Sequence, residues 1–148
     1  MESVRIYEMP NCKMVSSQCG MFGDGKLEKF IEWVERFPRP MFPKTFLKFD
    51  NERNGFVFYF LCEDGIAVPD DFDMVDFPGG LYAVATDVDG QDDTPARSAI
   101  KDFIRKTSCF EEDPSREMMG NIITPPSAFA AMGYNQMDYY TPIRVIEK

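Results

Sequence analysis

The chain has 148 residues, 44% of them hydrophobic and 14% aromatic, with Phe alone numbering 14, which describes an aromatic-rich globular protein and excludes a disordered one. Its net charge of −9 is unevenly carried: residues 1–69 hold 9 Lys/Arg against 10 Asp/Glu, and residues 70–148 hold 7 against 15. An acidic second half repels phosphate backbones, so direct nucleic-acid binding is not expected, whereas the same field favours cationic ligands.

Residues 4–10 and 12–20 read as two short strands around a turn at Pro10. The same order of events returns at residues 72–78 and 80–88, around Pro78 and Gly79-Gly80. Each proline follows an acid by two residues, Glu8 or Asp76, and cannot donate to a ladder, so each marks a strand end. A helix comes next in both copies. In the first, Leu27, Phe30, Ile31 and Val34 recur along one helix face, with Glu28, Lys29, Glu32 and Glu35 opposite. Asp24 is its expected N-cap, and Phe37-Pro38-Arg39-Pro40 ends it. In the second copy Ala96, Ala99, Ile100, Phe103 and Ile104 form the stripe, with Thr94 as the cap and Pro95 in the first helical position.

Two strands then close each copy, at residues 46–50 and 55–62 in the first and at 119–124 and 137–145 in the second. The connection 125–135 is longer than its counterpart 50–55. Residues 108–116, with Glu111, Glu112, Asp113 and Pro114, read as a solvated loop. The expected organisation is a single domain, 1–148, built from two pseudo-symmetric β-β-α-β-β units at about 3–65 and 71–148. The expected fold class is α+β: one antiparallel sheet, both helices on one face, and a ligand groove between the units on the other.

The chain has no histidine, which removes the commonest general base and the commonest zinc ligand; no metal and no cofactor is expected. Cys12, Cys19, Cys62 and Cys109 lack C-x-x-C spacing and read as reduced, half-buried hydrophobes. No run reaches the ~18 apolar residues of a membrane helix, and the N-terminus has no signal-peptide core, so a cytoplasmic protein without membrane contact is expected.

Asp138 lies in an otherwise apolar strand, and a carboxylate withdrawn from water without a partner costs several kcal/mol. Strand alternation puts Asp138 and Tyr140 on one face and Tyr139 and Thr141 on the other. A carboxylate beside a phenol is a floor for a pocket that takes apolar cations, or for acid–base chemistry; an edge strand with Asp138 in water is the alternative. Trp33 lies beside the first helix's apolar stripe, where packing explains it equally well. Phe56, Phe58 and Phe60 alternate with Val57, Tyr59 and Leu61, and either set could face the groove. Tyr134 falls in a turn that would act as a lid, and Tyr82 reads as structural.

Three segments resemble the GyrI-like family, the effector-binding domain also found after AraC- and MerR-type DNA-binding modules. They are Gly80-Leu81-Tyr82-Ala83-Val84-Ala85 with Gly90, the helix from Leu27 to Arg36 with Phe30 and Trp33-Val34, and the closing Asp138-Tyr139-Tyr140-Thr141-Pro142-Ile143. The resemblance implies a duplicated fold with a central groove that binds varied hydrophobic, often cationic, drugs or metabolites through one acid surrounded by aromatics. The chain departs from the family in two respects. Asp138 stands where the family usually has Glu, a side chain one methylene longer. With a first strand expected at about residue 4, no helix-turn-helix is expected ahead of it.

Three functions follow. The leading one is stand-alone binding of hydrophobic, often cationic small molecules, with Asp138 as counter-charge, Tyr140 as a wall, and contributions from Tyr59, Phe58, Trp33 and Tyr134. The second is hydrolysis of strained electrophiles in the same groove, as the resemblance implies, with Asp138 as general acid or base and Tyr140 as hydrogen-bond donor. The third is an inhibitory interaction with a protein partner, in which surface acids imitate nucleic acid. Haem, known for a related SOUL-like family, lacks its expected axial histidine here.

Overall fold

The computed structural model describes residues 3–61, 65–90 and 94–147. It is an α+β protein with an antiparallel sheet, as the sequence predicts, and has nine strands and three helices among those residues, one strand and one helix more than two β-β-α-β-β units supply. The chain divides into two compact units, Asn11–Phe77 and Met1–Pro10 with Pro78–Lys148. Cys62, the predicted end of a strand, lies outside the described residues.

The unit Asn11–Phe77 holds β2 (Cys12–Ser16), α1 (Lys26–Val34), β3 (Thr45–Asp50), β4 (Gly55–Phe60) and β5 (Asp73–Phe77). Its strands run in the order β3-β4-β2-β5. The β3–β4 turn forms because the Asp50 carboxylate accepts the Glu52 and Arg53 amides and Asn54 takes a left-handed φ of 54°, a conformation that asparagine tolerates. At the start of α1 the capping falls one residue later than predicted. Gly25, at φ 91°, is the cap residue, while Asp24 accepts the Lys26 amide and Glu28 accepts the Gly25 amide. A left-handed cap position suits glycine and would strain Asp24. Leu27, Phe30 and Trp33 of α1 are buried against Val15, Phe58, Phe60 and Phe72. The rings of Phe30 and Phe58 stack at 6.1 Å, and Phe72 meets Phe30 edge-on at 5.0 Å.

The second unit holds β1 (Arg5–Met9), β6 (Gly80–Val88), α2 (Thr94–Thr107), β7 (Phe110–Glu112), β8 (Met119–Ile122), α3 (Pro126–Met132) and β9 (Gln136–Val145). Its strand order is β1-β6-β9-β8, with β7 pairing the far end of β9. The opening strands have therefore changed places: β1 pairs with β6, and β5 pairs with β2, so neither predicted β-turn-β start closes on itself as a hairpin. The chain crosses from one unit to the other at Pro10–Asn11 and at Phe77–Pro78, where proline ends a ladder. Each unit repeats one strand order, with its opening strand supplied by the other sequence repeat.

Helix α2 buries Ala96 and Ile100, and Asp87 of β6 accepts the Ala96 amide. Arg97 places its guanidinium 5.0 Å over the Tyr139 ring, so α2 lies on the face of β9 that carries Tyr139 and Thr141. Two predicted loops are structured. Residues 108–116 contain β7 and a buried ion pair, Arg116 Nε to Asp113 Oδ2 at 2.9 Å, with side chains only 7% and 13% exposed. Arg116 Nη2 also donates to the carbonyls of Leu81 and Ile143, each at 2.8 Å, and its guanidinium lies 4.8 Å from the Tyr82 ring centroid. Glu111, Glu112, Pro114 and Ser115 remain exposed, so the segment is solvated as predicted, and the Asp113–Arg116 pair anchors it to the sheet. The connection 125–135 forms α3, which starts on Pro126 and ends at the left-handed Gly133. No helix among the described residues is long and apolar enough to cross a membrane.

Candidate functional site

Registers in the second unit bring one set of side chains to a single face. Opposite Asp138 stand Thr86 of β6 and Asn121 of β8, opposite Tyr140 stand Val84 and Met119, and opposite Val84 and Tyr82 stand Arg5 and Tyr7 of β1. Directly opposed residues share a face, so Asp138, Tyr140, Thr86, Tyr82, Arg5 and Tyr7 lie together, on the side away from α2. Asp138 is buried at 4% exposure.

Its counter-charge is supplied by Arg5. Nη2 of Arg5 donates to Asp138 Oδ1 at 2.6 Å and to Thr86 Oγ1 at 2.9 Å, while the Thr86 hydroxyl donates to the same Oδ1 at 2.5 Å. Nη1 of Arg5 donates to the Tyr7 hydroxyl at 2.7 Å, and the guanidinium carbon lies 5.3 Å from the Tyr7 ring centroid. The hydrogen bond to Asp138 raises the Arg5 pKa above its ordinary value, against the opposing effect of burial. The pair is lopsided: the Arg5 side chain is 36% exposed and that of Asp138 5%.

The tyrosines form the apolar part of the face. Tyr140 is centred 6.2 Å from Tyr7 and 5.7 Å from Tyr82, the latter edge-on. Burial, and then the negative charge of Asp138, push the Tyr140 phenol well above its usual pKa. Tyr140 is therefore neutral at ordinary pH, a state in which its hydroxyl can donate a hydrogen bond.

Of the sequence-predicted site residues, the structure brings together Asp138 and Tyr140. Tyr134 is exposed just beyond α3. Trp33 and Phe58 pack in the core around α1, where their neighbours account for them. Phe58 thus fixes the α1-facing set of β4. Tyr59 lies on the other side, 5.5 Å from Phe77 and with the Lys48 ammonium 5.3 Å from its centroid. Arg5, Tyr7 and Thr86 escaped sequence reasoning. Alternation would have put Arg5 and Tyr7 on one face of β1, but the pairing of β1 with β6 carries no local signal. A separate cleft of about 480 Å³ between α2 and β7 is lined by Lys101, Ile104, Arg105, Phe110, Glu111 and Ile146, and includes no member of the Asp138 network.

The fold has solved counterparts. The EcmrR C-terminal domain superposes with a TM-score of 0.63 at 11% identity, covering 99% of both chains. A hydrolase from Listeria innocua gives 0.70 at 9% identity, covering 97% of this chain and 92% of the other. SAV2435 bound to tetraphenylphosphonium gives 0.52 at 7% identity, covering 96% and 94%. At these identities the likeness is one of fold, and it agrees with the GyrI-like architecture expected from the sequence. No protein-family model matches the sequence, and no curated protein does.

Proposed function

We propose that this chain binds hydrophobic, often cationic small molecules, with Asp138 as the counter-charge and Tyr140 and Tyr7 as aromatic walls, backed by the buried Tyr82. The observation that carries this reading is a carboxylate almost withdrawn from water, ringed by tyrosines and neutralised by a cation that is still one-third exposed. A cation over an aromatic face gains about 0.5–2 kcal/mol, and a desolvated carboxylate attracts it more strongly than one in water. A protein of similar fold bound to a lipophilic cation, tetraphenylphosphonium, supports the same chemistry. The test is thermal shift and titration calorimetry with tetraphenylphosphonium on wild type and Asp138→Asn. Wild type is expected to gain stability with ligand and the variant to lose most of that gain. Equal shifts in both proteins, or none in either, overturn the reading.

Hydrolysis is the second reading, favoured by the fold shared with the Listeria innocua hydrolase and by a neutral Tyr140 phenol able to donate to developing negative charge. The hydrogen bonds from Arg5 and Thr86 to Asp138 Oδ1 fix the carboxylate where it can orient a bound group. Incubation with an aryl epoxide and mass detection of the diol separates the readings: turnover lost in both Asp138→Asn and Tyr140→Phe supports hydrolysis, and bound but unchanged epoxide supports binding alone.

A further inference from the structure

We infer that Arg5 sets which ligands the site admits: its guanidinium occupies, as part of the chain, the place beside Asp138 that a cationic ligand would take, and such a ligand has to displace it. The inference rests on the binding reading above and deepens it.

Arg5 already makes the contacts that a bound organic cation would need. It touches the buried carboxylate at 2.6 Å and the Thr86 hydroxyl at 2.9 Å, and it lies against the Tyr7 ring, which in turn meets Tyr140. The two partners differ in their freedom to leave. Asp138 sits on β9, flanked by β6 and β8, with its side chain 5% exposed; it stays where the sheet holds it. Arg5 sits on β1, at the end of the strand order, and its side chain is 36% exposed. Its long, flexible stem can carry the charge into water without leaving an unpaired cation inside. Exchange is therefore one-sided, with the protein's cation leaving and the ligand's entering.

The geometry also selects by ligand chemistry. The vacated place offers hydrogen-bond acceptors, Asp138 Oδ1, Thr86 Oγ1 and the Tyr7 hydroxyl, arranged for a planar fork of N–H donors. An amidinium or guanidinium on an apolar body can replace all three bonds. A quaternary cation replaces the charge but none of the hydrogen bonds, so wild type should rank it below a donor-bearing cation of equal size.

The experiment compares wild type, Arg5→Ala and Arg5→Ala/Asp138→Asn by thermal shift with ethylguanidinium, and by calorimetry with tetraphenylphosphonium. Millimolar ethylguanidinium is expected to raise the melting temperature of Arg5→Ala alone. Tetraphenylphosphonium is expected to bind Arg5→Ala about tenfold more tightly than wild type, the gain from freeing a site otherwise open about one time in ten. Should Arg5→Ala fail to fold, Arg5→Lys, with a more weakly anchored cation, is expected to bind tetraphenylphosphonium more tightly than wild type. Wild-type binding that is unchanged in Arg5→Ala or Arg5→Lys, or no response of Arg5→Ala to ethylguanidinium, overturns the inference and leaves the binding reading standing. No binding of tetraphenylphosphonium by any of these proteins overturns both.

Discussion

Gly80→Ala is the sharpest test of how the second unit is held together. Gly80 opens β6 at φ 145°, a region side chains rarely enter, and a Cβ there would lie 2.6 Å from Arg116 Cζ and 2.7 Å from its Nη1. The guanidinium cannot give way cheaply, because it is tied to the carbonyls of Leu81 and Ile143 and to the Asp113 carboxylate. Backbone strain of about 1–3 kcal/mol adds to about 1.5–3 kcal/mol for each charged hydrogen bond that is lost. A cost of roughly 3–5 kcal/mol follows, a large part of the 5–15 kcal/mol that holds an ordinary domain together. Urea unfolding followed by circular dichroism would measure it, beside Arg116→Met and the double variant. If the clash is the cause, the double variant loses about 1–3 kcal/mol less than the two single losses added together, since the second substitution removes what the first collides with. A Gly80→Ala cost below about 1 kcal/mol, or simple additivity, would refute the reasoning.

Three further outcomes follow from the same coordinates. Arg5→Met strands a carboxylate 5% exposed, whereas Asp138→Asn leaves a guanidinium that can turn to water; urea midpoints should show about 2–4 kcal/mol lost in the first and about 1 kcal/mol in the second, and the reverse order would contradict the burial argument. The Ser115 hydroxyl, and then Arg116, hold the Asp113 carboxyl down at about 2. A depressed acid stabilises the fold above about pH 4, and that contribution is lost as pH falls through 2, so unfolding measured between pH 2 and 6 should show a flatter acid limb in Asp113→Asn. Tyr140 is shifted the other way, by burial and then by Asp138. Its contribution is complete below about pH 10 and declines above it, because the unfolded phenol ionises first; Tyr140→Phe should soften the alkaline loss of stability, followed by fluorescence from pH 9 to 11.

The sequence reveals whatever has a short period. Alternation alone puts Asp138 and Tyr140 on one face of the last strand, and the helical stripe from Leu27 to Val34 announces α1. Pro126 and Gly133 carried ordinary start and stop signals for α3, hidden by the seven-residue length of the helix and by its lack of a buried residue. β7 is three residues long and two of them are glutamates, so only its pairing with β9 identifies it. Arg5 was the hardest residue to foresee, because its partner is 133 residues away and its strand joins the opposite repeat. Non-local pairing of this kind is set by tertiary adjacency, which no window of sequence displays.

The exchange of opening strands imposes a timetable on synthesis. β1 leaves the ribosome more than 70 residues ahead of β6, the strand that completes its ladder, a wait of roughly 4–15 s at about 5–20 residues per second. Until then its backbone is an unsatisfied edge, open to pairing with a neighbouring chain. The bond from Arg5 to Asp138 closes later still, because it waits for β9, the last strand of the sheet to be made.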